Sequence, residues 1–134
     1  MVSWGILGTG MIARALAVSM QDSTGSQLKA VASRSIEKAE KFGKKYDCSA
    51  VEGYENLLND SEIEAIYVAT PHDSHSDLTL AALKAKKSVL CEKPMTLNST
   101  ETMVLIEAAR ENEVLLMEAF MYRTHPQTDK IREL

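Results

Sequence analysis

The sequence predicts an α/β fold in which helices cover both faces of one doubly wound parallel sheet. Short apolar segments alternate with helical segments along the whole chain, which is the arrangement that builds a parallel sheet. One of them, residues 65–69, is apolar throughout, as expected for a central strand buried on both faces. Right-handed crossovers between parallel strands then place helices on both faces of the sheet. The strand order that we expect for it is 3-2-1-4-5-6.

The bulk composition excludes several classes of protein. The 134 residues suit a single domain, 1–134, and leave no room for a second. A net charge of −4 argues against nucleic acid or an anionic membrane as a partner. No apolar run reaches the ~18 residues of a membrane span, and the N-terminal apolar run is better explained as a strand. We therefore expect a cytoplasmic protein.

The first strand, Val2–Leu7, runs directly into a glycine-containing turn, and residues 11–20 then have a helical pattern. In this strand–turn–helix context, the motif Gly8-x-Gly10-x-x-Ala13 is typical of a Rossmann-type dinucleotide-binding fold. Gly8 allows a tight turn, Gly10 lets a pyrophosphate approach, and Ala13 keeps the helix close to the sheet. The residues expected to surround the phosphates at the helix N-terminus are Gly8, Thr9, Gly10, Met11, Ile12 and Ala13.

Cofactor choice is expected at the end of the second strand, residues 28–32. An acidic residue about 20 positions past the fingerprint would bind the ribose 2′-hydroxyl of NAD. Ser33 holds that place and Arg34 follows it, so no carboxylate repels a 2′-phosphate and a guanidinium can pair with one. We therefore expect NADP in preference to NAD; the alternative is that Arg34 only points into solvent.

The helix after the second strand is capped by Ser35 and has Glu37 in its first turn. Gly43 lies inside or near its end and is expected to shorten it. Its lysines are interpreted as a solvated face: Lys38, Lys41, Lys44 and Lys45. A short strand over residues 49–51 and a short helix over Tyr54–Leu58 follow.

The rest of the chain predicts three more strands, each followed by a helix. These elements are a strand over 65–69, a helix over 78–85, a strand over Ser88–Cys91, a helix from Asn98 to about 112, a strand over 114–117 and a helix over 126–134. Asn98 and Glu101 have capping-box spacing. Cations that suit a helix C-terminus end the 78–85 helix: Lys84, Lys86 and Lys87.

The two cysteines are predicted to be separate thiols. Cys48 and Cys91 lie in or beside strands 3 and 5, four steps apart in the expected sheet, or roughly 19 Å. A disulfide needs Cα atoms within about 7 Å. Both are interpreted as small buried hydrophobic residues.

Four polar loops leave the carboxyl ends of the strands, where ligands bind in sheets of this type. They are residues 8–13, 70–75, 92–94 and 118–125. Strand 5 lies two steps from strand 1, so Lys93 starts about 10 Å from the phosphate turn. That distance suits a group acting at the nicotinamide end of a dinucleotide.

Lys93 stands between a carboxylate and a proline, and two interpretations of it remain open. It can donate a hydrogen bond to the substrate oxygen that gains or loses hydride. Alternatively, Glu92 holds it in a simple ion pair. Spacing alone does not decide between them.

Three histidines, His72, His75 and His125, fall in these loops. No Cys, Asp or Glu accompanies them at a spacing typical of zinc sites. Hydrogen-bonding loop histidines are the favoured interpretation, and no metal is expected.

Four segments taken together resemble a known oxidoreductase family. They are Gly8-x-Gly10-x-x-Ala13, Thr70-Pro71-His72-x-x-His75, Glu92-Lys93-Pro94 and Glu118-Ala119-Phe120-Met121-Tyr122-Arg123-x-His125-Pro126. The family is Gfo/Idh/MocA, and the chain is most similar to its branch of dihydrodiol dehydrogenases, xylose dehydrogenases and glucose–fructose oxidoreductases. The resemblance runs in order over essentially all 134 residues.

The resemblance implies hydride transfer between NADP, or NAD, and a sugar or a diol or carbonyl substrate. It implies that Lys93 polarises the substrate oxygen, that a cis peptide precedes Pro94, and that Glu92 contacts the nicotinamide end. The residues it places along the cofactor path are Thr70, Pro71, His72, His75, Glu92, Lys93 and Pro94. Those it places at the substrate pocket are Tyr122, Arg123 and His125.

Family members also carry a second domain for substrate binding and dimerisation, which these 134 residues lack. We expect this domain alone to be inactive and the full-length form to be a homo-oligomer. The alternative is a binding module that senses or sequesters the dinucleotide without turnover. Lys93 favours the enzyme lineage, whereas the missing domain favours the module. A short-chain dehydrogenase is disfavoured, because no Tyr-x-x-x-Lys occurs.

Overall fold

The six expected strands form one parallel sheet in the expected order, β3-β2-β1-β4-β5-β6. The computed structural model describes residues 1–134. The strands are β1 (Val2–Leu7), β2 (Ser26–Ser33), β3 (Ser49–Glu52), β4 (Ala65–Val68), β5 (Ser88–Cys91) and β6 (Leu116–Glu118). The helices are α1 (Met11–Gln21), α2 (Ile36–Tyr46), α3 (Tyr54–Leu58), α4 (His75–Lys84), α5 (Ser99–Glu111) and α6 (Pro126–Arg132). Short 3₁₀ helices cover His72–Ser74 and Met121–Thr124.

Helices cover both faces of the sheet, each over its own apolar core. Ile66 and Val68 of β4 point to the core under α3, α4 and α5, whereas Tyr67 between them points to the core under α1 and α2. All four β4 residues are buried, which confirms the prediction of a central strand. The doubly wound fold follows from this division, because each strand alternates its side chains between the two faces.

Several element boundaries differ from the sequence-based expectation. Helix α2 passes through Gly43 and ends at Tyr46, because Asp47 adopts the left-handed conformation that terminates it (φ 54°). Helix α4 begins at His75 rather than at residue 78. Strand β6 is Leu116–Glu118 rather than 114–117, because pairing with β5 sets its register: Val89 opposes Leu116 and Cys91 opposes Glu118.

Lys87, expected at the C-terminus of the helix before β5, lies past the end of α4 and is buried. It is 8% exposed, and its ammonium donates hydrogen bonds of 2.7 Å to the carbonyls of Asp60 and Ile63. This lysine therefore ties the start of β5 to the loop that leads into β4.

The loops after four neighbouring strands leave the sheet at the same level, one residue past the end of each strand. The first residue past each strand still donates a backbone hydrogen bond to the adjacent strand, at 2.8–3.0 Å. These bonds run from Gly8 to Ala32, Ala69 to Leu7, Glu92 to Val68 and Ala119 to Cys91. The four loops singled out in the sequence therefore emerge at one edge.

Both cysteines are free thiols, as predicted, with Cys91 fully buried and Cys48 partly buried. None of the helices combines the length and the apolar character needed to cross a membrane.

Candidate functional site

The turn after β1 is shaped by its two glycines. Gly8 has φ +106°, and a Cβ there would lie 2.6 Å from the carbonyl oxygen of Ala69. Gly10 is the N-cap of α1, has no side-chain cap, and would present a Cβ to open space with no atom within 4 Å. The first N–H groups of an α-helix have no partner within the helix. The turn therefore offers an open cradle that fits a pyrophosphate.

The residues that follow Gly10 differ in their surroundings. Ala13 is fully buried between α1 and the sheet, as predicted. Arg14 donates from Nε to the carbonyl of Thr9 at 3.3 Å. Met11 is 87% exposed beside the cradle, whereas Ile12 is half-buried.

A groove of about 350 Å³ joins this turn to the ends of β2 and β4. Among the predicted cofactor residues it brings together Gly8, Thr9, Gly10, Ser33, Arg34, Thr70 and Pro71. Ser33 is buried, and its Oγ accepts from the backbone N–H of Ser35, whereas Arg34 is exposed and in no ion pair. No carboxylate is among the residues that line this groove. The Glu37 carboxylate lies just outside it and accepts from the hydroxyl of the groove residue Ser35 at 2.5 Å.

The sequence did not predict four residues that line the groove: Ser35, Lys38, Tyr54 and Ala69. Lys38, expected on a solvated face, lines the groove. The sequence contained a signal for this position, because Ser35 as N-cap places Lys38 on the first turn of α2. In the structure the Ser35 side chain accepts from the Lys38 N–H, as such a cap requires. Tyr54 also lines the groove, directly after Gly53 at the carboxyl end of β3.

A second depression, of about 510 Å³, is also lined by Thr9 and Gly10 of the phosphate turn and by Lys38. Its remaining cations are Arg14, Lys41 and Lys45. None of these four cations is in an ion pair. The turn therefore lies in a region of positive potential that attracts anionic ligands, although the chain as a whole is acidic.

The Glu92-Lys93-Pro94 turn follows β5, and its Lys93–Pro94 peptide is cis, as the resemblance implied. Lys93 is exposed and in no ion pair. The Glu92 carboxylate is buried, and it accepts from the Tyr67 hydroxyl at 2.5 Å and from the Lys93 backbone N–H at 3.2 Å. The side chain that satisfies Glu92 is therefore Tyr67, and the Lys93 ammonium is left free.

The protonated state of Tyr67 is favoured by its surroundings. Burial, followed by the hydrogen bond and the charge of Glu92, raises the pKa of the Tyr67 phenol well above its ordinary value. The hydroxyl therefore stays a donor to the carboxylate. The Tyr67 hydroxyl is the only polar side-chain group in β4, whose other residues are apolar. That contrast is the one feature of the sequence that could have identified Tyr67 as part of the site.

Side chains from two other elements also reach this turn. Glu118, at the end of β6, accepts from the Met95 N–H at 2.8 Å. Nδ1 of His75, at the start of α4, lies 2.8 Å from the carbonyl oxygen of Pro94. The turn that carries Lys93 is thus held from both sides.

His75 is the predicted cofactor residue whose placement differs most from expectation. Its ring is fully buried between two loops, so the side chain has no surface to offer a cofactor. His72 is exposed, with its ring centroid 5.5 Å from that of His75. No group of three or more His, Cys, Asp or Glu side chains is placed to hold a metal ion.

The predicted substrate residues lie on and just after the 3₁₀ helix that follows β6. Tyr122 is 64% exposed, and Arg123 and His125 are exposed as well. His125 is also the N-cap of α6, with its Nδ1 accepting from the Gln127 N–H at 3.1 Å. The structure therefore gives His125 a local structural contact in addition to its expected place at a substrate surface.

Comparison with known proteins agrees with this geometry. The chain is 42% identical over 134 residues to trans-1,2-dihydrobenzene-1,2-diol dehydrogenase of Xenopus laevis, covering 98% of this chain and 41% of that protein. It is 38% identical over 131 residues to dTDP-3,4-didehydro-2,6-dideoxy-alpha-D-glucose 3-reductase of Saccharopolyspora spinosa, covering 97% and 40%. The chain thus spans about 40% of the length of these curated relatives.

A solved structure gives the same picture. The 3-ketoreductase from Actinomadura kijaniata in complex with NADP superposes with a TM-score of 0.94 and 34% identity, over 98% of this chain and 42% of that one. The family model of the Gfo/Idh/MocA proteins, an oxidoreductase family with an NAD-binding Rossmann fold, matches residues 2–120. The chain therefore belongs to the Gfo/Idh/MocA oxidoreductase family and is an NAD(P)-binding Rossmann domain of it.

Proposed function

We propose that residues 1–134 form the cofactor half of an NADP-dependent oxidoreductase that moves hydride between the nicotinamide and a sugar or a diol or carbonyl substrate. One observation carries this proposal. The open phosphate turn and the cationic groove share an edge of the sheet with the free ammonium of Lys93. The named activities of the relatives, a diol dehydrogenase and a sugar 3-reductase, support the substrate class.

The groove supports NADP in preference to NAD. The Gly8–Gly10 turn would hold the pyrophosphate, and Arg34 with Lys38 would pair with the 2′-phosphate, since no carboxylate lines the groove. Bound there, the cofactor supplies a nicotinamide ring that accepts or donates hydride. The NADP bound to the ketoreductase that superposes on this chain is further support.

Lys93 is proposed to act on the substrate oxygen. Its ammonium donates a hydrogen bond to the oxygen whose charge changes as hydride moves, and so stabilises the transition state more than the ground state. The Lys93 and Met95 N–H groups of this turn donate to Glu92 and Glu118, and His75 contacts its Pro94 carbonyl. These hydrogen bonds support the role, because they fix the backbone that carries the lysine. A module that only bound dinucleotide would gain nothing from holding a free ammonium at this point.

The substrate side of the site is proposed to be completed by a second domain. Lys93, Tyr122 and Arg123 are exposed, whereas hydride transfer needs excluded water and a substrate held in reactive geometry. The greater length of the relatives also supports this.

We propose that the full-length enzyme is a homo-oligomer. The two unpaired thiols are compatible with the reducing conditions of the cytoplasm, where we place it.

Calorimetric titration with NADPH and NADH tests the cofactor assignment. The unmodified chain should bind NADPH more tightly, and Arg34→Ala should remove that preference at a cost of about 1.5–3 kcal/mol, or roughly 10- to 150-fold in Kd. Arg110→Ala is the matched control, because Arg110 is an exposed arginine on α5 away from the groove. Equal or tighter binding of NADH by the unmodified chain would contradict the assignment.

A further inference from the structure

His75 connects the two loops that the proposed cofactor would touch. It is the first residue of α4 and is 0% exposed. Its Nδ1 lies 2.8 Å from the carbonyl oxygen of Pro94, and its Nε2 lies 2.8 Å from that of Thr70. These carbonyls belong to the loops after β5 and β4, which are neighbours in the sheet. One side chain therefore spans the gap between them.

No other hydrogen bond reaches either carbonyl. Because both partners of the ring are acceptors, each nitrogen is useful only as a donor, and a neutral imidazole donates to one carbonyl at a time. An apolar side chain of the same size would leave both carbonyls without a donor. The fold thus places a donor side chain where an apolar residue would have satisfied packing alone.

The two loops differ in what they would do for a dinucleotide. Thr70 and Pro71 line the groove assigned to the adenosine end, whereas Lys93 precedes Pro94 in the turn assigned to the nicotinamide end. Glu118 holds the far side of that turn through the Met95 N–H. Without the contact from His75, the turn would be held from the β6 side and by Glu92 but would lose its connection to the groove.

We propose that His75 is a positioning residue that sets the spacing between the cofactor groove and the turn carrying Lys93. It acts on the nicotinamide half of the ligand through that turn, without touching the ligand. The inference rests on the proposed function, since it assumes a dinucleotide that lies across both loops. It differs from the expectation that His75 itself lines the cofactor path.

The test compares the whole ligand with its adenosine end. NADPH and 2′,5′-ADP are titrated by calorimetry into the unmodified chain, His75→Leu and His75→Gln, with Thr79→Val as the control. Thr79 lies in the same helix, is equally buried, and has a hydroxyl without a partner. Backbone amide hydrogen exchange at Met95 is followed in each variant as a measure of how firmly the turn is held.

His75→Leu should weaken NADPH binding about tenfold, as expected for the loss of a buried hydrogen-bonded contact, and leave 2′,5′-ADP binding within about twofold. Exchange at Met95 should become about tenfold faster. His75→Gln should recover most of the NADPH affinity, because its amide carries two N–H donors. The valine control should match the unmodified chain in all three measurements.

If His75→Leu weakens the binding of NADPH and of 2′,5′-ADP equally, His75 is a general structural residue and the proposal is overturned. Unchanged exchange at Met95 would overturn it as well, whatever the ligands do. If the leucine variant does not fold, the NMR resonances of the His75 ring are followed in the unmodified chain as each ligand is added. They should shift on addition of NADPH and not on addition of 2′,5′-ADP. A shift with 2′,5′-ADP and none with NADPH overturns the proposal. If the unmodified chain binds neither ligand, the proposed function itself fails and this inference falls with it.

Discussion

Adding one methyl group to each of the two glycines of the phosphate turn should separate folding from binding. Gly8 and Gly10 are two residues apart in the same turn and differ in what surrounds them. A Cβ on Gly8 meets backbone, whereas a Cβ on Gly10 meets nothing within 4 Å. Gly8→Ala should therefore be a stability mutation and Gly10→Ala a binding mutation.

The cost at Gly8 has two sources. Its φ of +106° is a conformation that alanine rarely adopts, which costs about 1–3 kcal/mol. The added Cβ would also lie 2.6 Å from the Ala69 oxygen, and overpacking of this kind adds about 1–3 kcal/mol. The sum, about 2–6 kcal/mol, is a large share of the ~5–15 kcal/mol by which a domain is stable.

At Gly10 the terms for the free protein nearly cancel. Its φ of −68° and ψ of −176° are accessible to alanine, and the stiffer unfolded chain contributes about 0.4–1 kcal/mol of stability. Alanine is a poorer N-cap than glycine, which costs a similar amount. A phosphate, in contrast, would have to occupy the space of the new methyl. Displacing it from one charged hydrogen bond costs about 1.5–3 kcal/mol, or at least tenfold in affinity.

Urea denaturation and NADPH calorimetry on the two variants give the readouts. Gly8→Ala should lower the free energy of unfolding by at least about 2 kcal/mol, and Gly10→Ala should change it by less than about 1 kcal/mol. Gly10→Ala should nevertheless lose NADPH affinity. If Gly10→Ala binds NADPH as well as the unmodified chain, the pyrophosphate does not lie at this turn and the reasoning is wrong.

Three further predictions concern Lys93, Lys87 and the buried thiol. In a complete enzyme built on this domain, Lys93→Met should lower kcat by about 100- to 1,000-fold while cofactor Kd stays within a few-fold; a near-normal kcat in steady-state assays would end the catalytic role. Lys87→Met should lower the urea-derived free energy of unfolding by about 1–3 kcal/mol, because the buried Ile63 carbonyl loses its donor, and the exposed Lys84→Met should not. Burial raises the pKa of the Cys91 thiol from 9.0 to about 11, so its contribution to stability is complete below pH 9.0 and is lost as pH rises through about 11. The free energy of unfolding of the unmodified chain should fall between these pH values, and that of Cys91→Ala should fall less steeply. If the two proteins lose stability equally with pH, burial does not raise the pKa of the Cys91 thiol.

The sequence by itself determined the architecture of this protein and the edge of the sheet at which its candidate site lies. Alternating apolar and helical segments indicated the doubly wound parallel sheet, and the glycine turn after β1 indicated the fold type with its strand order. Each of these patterns depends only on residues close together in the chain. The conformation required at Gly8 was readable for the same reason, since a tight turn off a strand is a local backbone requirement. The loops at the carboxyl edge, including the turn with Lys93, followed from the strand order alone.

Only the tertiary structure decided which side chains satisfy one another. Tyr67 and Glu92 are 25 residues apart, and His75 and Pro94 are 19 apart, so their hydrogen bonds depend on how neighbouring strands align rather than on any local pattern. The sequence predicts Lys38 on a solvated face and Lys87 at a helix C-terminus, yet one lines the groove and the other is buried against two carbonyls. A long side chain can extend into solvent or fold back onto the protein with little change in local preference. Packing against distant backbone decides between the two, and that packing exists only once the sheet has formed.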